Sequence, residues 1–319
     1  MRKKKGIVAV LTLVGILIII LASVWMAWSS SDKVKVTELI IDAYDFAETP
    51  SQFVLVDSQP CVLVDGEAYI YDGDSWNKVC VDKKITEIYA GEIFCALTED
   101  GEIYVTEDTW AEYESYPLGA AGVYYNAEKM LQYSSGAKIE QISANIMNNY
   151  IIAASADGEI KVYVNGMERG IAEPICISDM SGRYLLSEEG EVYMVSYPDS
   201  FDRVRVNKVS DDRFVSISAC PTANRCIGIK HDGSTEVWSD VAGELASDFQ
   251  DIDKISMGFH YCIALSEDGK VCFSAYDEEL EAEIREYLEK IDDNVVNVAC
   301  AYNRIAIMFG DYSICMMDF

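Results

Sequence analysis

The sequence reads as an all-β protein, a seven-bladed β-propeller preceded by one N-terminal transmembrane helix, on three grounds. An uncharged apolar run occupies Gly6–Trp28, a unit of short β-prone runs and acidic-Gly turns recurs after it, and only Tyr276–Ile291 carries a helical period. With 319 residues, half of them apolar, and 20 Tyr, 10 Phe and 5 Trp, the polypeptide is able to bury a large core, which excludes wholesale disorder.

The apolar run, GIVAVLTLVGILIIILASVWMAW, is 23 residues long. At ~1.5 Å per residue such a helix crosses a hydrocarbon layer of about 30 Å. Cleaved signal peptides have apolar regions of only about 7–15 residues. Residues 6–28 are therefore expected to be a transmembrane signal-anchor, with Ala27 and Ser29 a weak alternative cleavage site. Arg2, Lys3, Lys4 and Lys5 make residues 1–5 a basic stub that stays cytoplasmic, which places residues 29–319 outside. The expected address is the cell membrane, single-pass, with the C-terminal domain extracytoplasmic.

Against 25 Lys and Arg stand 54 Asp and Glu, a formal charge of -29. That field repels phosphodiester backbones, so no nucleic-acid partner is expected. His231 and His260 are the only histidines, too few for multi-His metal sites, and no Cys-x-x-Cys pair occurs.

The repeat is clearest in Ile85–Thr106 (ITEIYAGEIFCALTEDGEIYVT) and Ile252–Phe273 (IDKISMGFHYCIALSEDGKVCF). Weaker copies lie at 53–71, 139–162, 175–193, 214–238 and 295–315. Their turn glycines are Gly66, Gly101, Gly158, Gly190, Gly233, Gly269 and Gly310, spaced by 35, 57, 32, 43, 36 and 41 residues. Such spacings centre on the ~40–45 of a propeller blade rather than the ~20–29 of a leucine-rich horseshoe. Glycine supplies the positive φ of a tight hairpin, so each unit is read as paired strands. One unit cannot bury both of its faces alone; a closed ring can. The last unit looks one strand short, and Lys33–Ile41 (KVKVTELII) is expected to complete it by pairing first with last. Two insertions stand out, near 107–135 and near 276–291, the second an amphipathic helix with Leu280, Ile284 and Leu288 on one stripe.

These units resemble the regulator of chromosome condensation repeat family over roughly residues 33–319, most closely around Asp100-Gly101 and Asp268-Gly269. The resemblance implies a seven-bladed propeller, and similar bacterial proteins look like exported or anchored interaction modules. Chromatin binding and nucleotide exchange on a small GTPase do not carry over: the Gly-Gln-Leu-Gly stretch of the family is missing and the surface is acidic. No catalytic residue transfers.

No cofactor, metal site or enzymatic activity is therefore expected. The ten cysteines are read mainly as buried free thiols, with Cys95, Cys226 and Cys262 at equivalent strand positions. Asp72-Gly73-Asp74 and Asp211-Asp212 are read as turn chemistry rather than Ca²⁺ ligands. Candidate binding residues are Trp110, Tyr113, Tyr116, Tyr124, Tyr125 and Tyr133, amphipathic rings on the first insertion, where packing onto the blade is the competing explanation. The leading expectation is a membrane-anchored module for an unknown protein partner. Alternatives are a carbohydrate or cell-wall polymer binder, and a carbohydrate-active enzyme with acidic residues at the central channel.

Overall fold

A computed structural model describes residues 36–42, 46, 48–56, 59–79, 81–89, 94–106, 130–133, 138–145, 150–155, 159–164, 167–171, 175–196, 204–220, 223–239, 245, 249–291, 294–301 and 303–319. The polypeptide divides into two units, Met1–Val36 and Thr37–Phe319, and every sheet belongs to the second. The expected span, Gly6–Trp28, lies outside the described residues; among the described residues no helix is long and apolar enough to cross a membrane.

Seven antiparallel sheets follow one another along the sequence. After β1 (Thr37–Ile41), sheet one holds β2 (Gln52–Val56), β3 (Gln59–Val64), β4 (Glu67–Tyr71) and β5 (Trp76–Lys78). Sheet two holds β6 (Ile85–Tyr89), β7 (Cys95–Thr98), β8 (Ile103–Thr106) and β9 (Met130–Tyr133). Sheet three holds β10 (Ile139–Asn145), β11 (Tyr150–Ser155), β12 (Ile160–Val164) and β13 (Met167–Gly170). Sheet four holds β14 (Ile177–Ser181), β15 (Tyr184–Ser187), β16 (Val192–Ser196) and β17 (Arg205–Lys208). Among the described residues, sheets five and six have three strands each: β18 (Phe214–Ala219), β19 (Arg225–Lys230) and β20 (Thr235–Ser239), then β21 (Ile252–Met257), β22 (Tyr261–Ser266) and β23 (Val271–Ala275). Helix α1 (Glu278–Leu288) precedes sheet seven, which holds β24 (Val295–Cys300), β25 (Arg304–Phe309) and β26 (Ile314–Asp318). Its fourth strand is β1, in register from Thr37 opposite Asp318 to Ile41 opposite Ile314.

The first strands neighbour one another in order, and β24 returns to β2, so the ring closes. Its core is a series of apolar layers between neighbouring sheets. Leu63, Ile70, Ile85, Ile88 and Phe94 join sheets one and two, and Ile41, Phe53, Val62, Ala306 and Met316 join seven and one. Each fully buried Leu, Ile or Phe contributes roughly 1.5–3 kcal/mol, so both faces of a sheet are stabilised only when both neighbours are present.

The turn glycines work in two ways. In sheet four Gly190 N–H donates to Ser187 O at 2.9 Å and Gly190 takes φ +81°, closing a three-residue hairpin. Phe214 N–H of the next sheet then donates to Gly190 O at 2.9 Å, an approach that a Cβ would obstruct. Gly66, Gly101, Gly233 and Gly269 are likewise at positive φ, and Gly158 lies outside the described residues. Gly310 departs from expectation. The seventh turn has the same hydrogen bonds, from Phe309 N–H to Ser313 O and from Tyr312 N–H to Phe309 O, but the left-handed residue is Tyr312, at φ +66°. Gly310 stands two residues earlier, donating to Asn294 O at 2.8 Å.

A second correction concerns Cys95. Hairpin register matches Cys226 with Cys262, opposite Ala219 and Met257, whereas Cys95 lies one residue nearer its turn, opposite Tyr89. A one-residue slip reverses the face of a strand. Cys95 accordingly packs toward sheet three, and Cys226 and Cys262 pack toward the sheets before their own. All three are fully buried free thiols.

Helix α1 takes the place of an outer strand on sheet six. Asp277 caps it by accepting from Glu279 and Leu280 N–H, and Leu280 and Ile284 are buried. Its Glu281 Oε2 accepts Ala275 N–H at 2.8 Å and its Arg285 Nε donates to Phe273 O at 3.2 Å, so these two residues satisfy the edge of β23.

Candidate functional site

The first strands share a pattern that builds the lining of the ring's axis. In six of them a bulge follows the first residue, at Ile85, Ile139, Ile177, Phe214, Ile252 and Val295. The residue after that bulge is polar, and its partly exposed counterparts around the ring are Gln52, Glu87, Gln141, Asp179, Ser216, Lys254 and Asn297, one per sheet. Apolar residues come next, such as Ile88, Ile142, Met180 and Ile217, and these are buried between sheets. Two residues beyond the polar ring stand Tyr89, Ser143, Ser181, Ser218 and Ser256, whose hydroxyls tie neighbouring sheets together. Ala219 N–H donates to Ser181 Oγ at 2.8 Å, Met257 N–H to Ser218 Oγ at 3.1 Å and Cys300 N–H to Ser256 Oγ at 3.0 Å. A cavity of about 310 Å³ lies among the first strands of six sheets, with Tyr89, Ser181, Ser216, Ser218, Lys254 and Asn297 in its wall.

Two carboxyls belong to the polar ring. Glu87 Oε2 accepts Ile142 N–H at 3.1 Å, and Asp179 Oδ1 accepts Met180 N–H at 2.8 Å. Burial pushes Glu87 up to about 8, with the nearby Asp179 charge adding to the effect, and burial pushes Asp179 up to about 6. At neutral pH one is mainly protonated and the other mainly ionised, the pairing used in acid–base chemistry. Neither lies among the residues of the 310 Å³ cavity wall. Sequence reading missed this ring, although its signal is visible in the repeated Ile-x-polar-Ile/Met-Ser pattern of IEQIS, ISDMS and IDKIS.

On the side of the ring away from the glycine turns, Arg225 is buried between Phe259 and Tyr276, 5.1 Å from each ring centroid. Its Nη1 lies 3.3 Å from Nδ1 of the exposed His260, whose pKa is held down by loss of hydration and by the guanidinium. His231, by contrast, sits in the fifth hairpin turn and is exposed. Nothing in the sequence marked Arg225.

Of the aromatic candidates, Trp110, Tyr113, Tyr116, Tyr124 and Tyr125 lie outside the described residues. Tyr133 belongs to β9, opposite Ile103, so the segment between described strands is 107–129. Its ends are brought together by the pairing of Thr106 with Met130. Asp72 Oδ1 accepts the N–H groups of Asp74 and Ser75, each at 2.9 Å, while Asp212 pairs with Lys230 at 2.5 Å. Among the described residues no group of three or more His, Cys, Asp or Glu is arranged to hold a metal ion.

Seven antiparallel sheets in a ring, closed by the pairing of the first strand, β1, with the last, β26, define a β-propeller. No family model matches the sequence, and no curated protein matches it. Solved structures do match. Human WBSCR16 superposes with a TM-score of 0.58 at 10% identity, over 86% of this protein and 88% of its own length. Yeast RCC1 (Prp20), solved with Kap60 bound, gives 0.53 at 10% identity, over 84% and 79%. YCF48 bound to D1 peptide gives 0.53 at 11% identity, over 90% and 96%. What these likenesses show is the propeller fold.

Proposed function

We propose that the protein is a membrane-tethered, extracytoplasmic propeller that binds another protein and performs no chemistry of its own. The carrying observation is the asymmetry of the ring. On one side run the glycine turns of two or three residues, hydrogen-bonded to the strands beside them. Segment 107–129 and the α1 segment both leave third strands, β8 and β23, on the other side. Variable segments on a rigid scaffold are where binding surfaces form, and 107–129 brings Trp110, Tyr113, Tyr116, Tyr124 and Tyr125. RCC1 (Prp20) with Kap60 and YCF48 with D1 peptide lend support as propellers that hold protein or peptide partners. The tether rests on the uncharged run Gly6–Trp28 behind Arg2–Lys5.

Replacing residues 108–128 with a short Gly-Ser linker keeps β8 and β9 and should abolish capture of the partner that crosslinks to the propeller in native membranes. Undiminished capture would remove this surface from the proposal. A soluble domain that binds glycans on an array, with no protein crosslinked in the membrane, would favour the carbohydrate-binding alternative. Carbonate washing should leave the full-length protein in the membrane pellet and release a variant lacking residues 1–30.

A further inference from the structure

Sheets five, six and seven begin their second strands with Arg225, Tyr261 and Arg304, opposite Ser239, Ala275 and Asp318 respectively. In sheet seven this register sets a carboxylate against a guanidinium. Arg304 Nε donates to Asp318 Oδ1 and Arg304 Nη2 to Oδ2 at 2.6 Å, the two-pronged geometry that matches a planar fork to a planar carboxylate. In sheet five Ser239 stands in the place of Asp318.

Arg225 is nevertheless the more deeply buried of the two, at 1% exposure. Its Nε is buried without a hydrogen-bond partner, as is the hydroxyl of Tyr276, and among the described residues Arg225 makes no ion pair. Scarcity of acids does not explain this, because 54 Asp and Glu are present. Phe259 and Tyr276 return part of the lost hydration through cation–π contact, each with its ring centroid 5.1 Å from the guanidinium carbon. They provide no acceptor to Nε. An unpaired buried guanidinium is costly, while one that meets a carboxylate gains a charge-assisted pair in a dry setting.

We propose that Arg225 is the receptor for a carboxylate brought by a binding partner, an Asp or Glu side group or a free C-terminal carboxylate, which pairs with the Nε side of the fork. Tyr276 Oη supplies a further donor, and the exposed His260 moves to admit the group. The fork matches carboxylate and phosphate oxygens alike, so the test below separates the two. This inference rests on the protein-binding reading above and names the group that is recognised.

The test uses full-length protein labelled with ¹⁵N-arginine, the Nε–H resonance of Arg225 being identified by its loss in Arg225→Met. Acetylated, amidated tetraglutamate should shift that resonance saturably, whereas the tetraglutamine counterpart should not, and inorganic phosphate should act more weakly than tetraglutamate. Ser239→Asp restores the arrangement of sheet seven in cis. It should raise the thermal midpoint and weaken tetraglutamate binding by at least ~10-fold, the loss expected when a charged hydrogen bond is no longer available. Should Arg225→Met fail to fold, the Nε–H resonance displaced by Ser239→Asp, across the strand pair from Arg225, identifies it instead, and the wild-type titration and Ser239→Asp decide between outcomes. An Nε resonance unmoved by millimolar tetraglutamate, a stronger response to phosphate, or Ser239→Asp binding the peptide as wild type does would each overturn the proposal. Partner capture that needs residues 108–128 but survives in Arg225→Met would overturn it while leaving the binding module intact.

Discussion

Glu87 and Asp179 couple the axial ring to pH. A carboxyl whose folded pKa lies above its unfolded value holds its proton more tightly in the folded state. Its contribution is therefore full below about pH 4 and is lost as pH rises, through about 6 for Asp179 and about 8 for Glu87. Stability should fall from pH 4 to pH 8, and Glu87→Gln should raise the melting temperature at pH 8 by about 5 °C while changing it little at pH 4. Melting curves at the two pH values check this; an equal shift at both would assign the effect to packing. The glycines allow a paired comparison. At Gly190 a Cβ would lie 2.9 Å from Phe214 O, whereas at Gly269 it would meet nothing within 4 Å, and both residues are left-handed. Gly190→Ala should cost about 3 kcal/mol and Gly269→Ala about 1 kcal/mol in urea unfolding.

Helix α1 stabilises by covering rather than by pairing. Ile284 is fully buried, so Ile284→Ala should cost about 2–4 kcal/mol in urea unfolding. A loss below about 0.5 kcal/mol would mean that the helix is not held against β23. Its existence was legible because Leu280, Ile284 and Leu288 recur at helical spacing in YDEELEAEIREYLEKI. Its task as a substitute edge was not, because that depends on Glu281 meeting the free N–H of Ala275 across space. The closing strand was legible from KVKVTELII and from a last unit lacking a strand. Cys95 was misplaced because loops before the second strand differ in length, and only hairpin register shows on which face a residue falls. Tyr312 is not legible in the sequence because a left-handed position is ordinarily marked by glycine, and a non-glycine residue at positive φ leaves no such mark. The axial ring was readable in principle, yet a polar residue amid Ile-rich strands looks like ordinary alternation until seven such strands face one axis.

The whole molecule is held by layers between sheets and by the joint between its ends. Ion pairs on the glycine-turn side, such as Lys84 with Asp65 at 3.2 Å, are solvent-exposed and add only ~0–1 kcal/mol each. The net charge of -29 therefore bears on which partners approach, not on what folds the ring. Two unlike sides follow from the topology: one of short stitched turns, the other bearing α1 and the buried Arg225. The polar axis, to which all seven first strands contribute, requires that the ring be complete.

Methyl NOE spectroscopy on the full-length protein reports that closure directly. Ile41 and Ile314 are cross-strand partners in the joint, and both are buried in the layer between sheets seven and one. An NOE between their δ-methyl groups is expected. Ile41 methyl NOEs confined to residues near it in sequence, with Ile314 showing none to Ile41, would contradict a ring closed by its two ends.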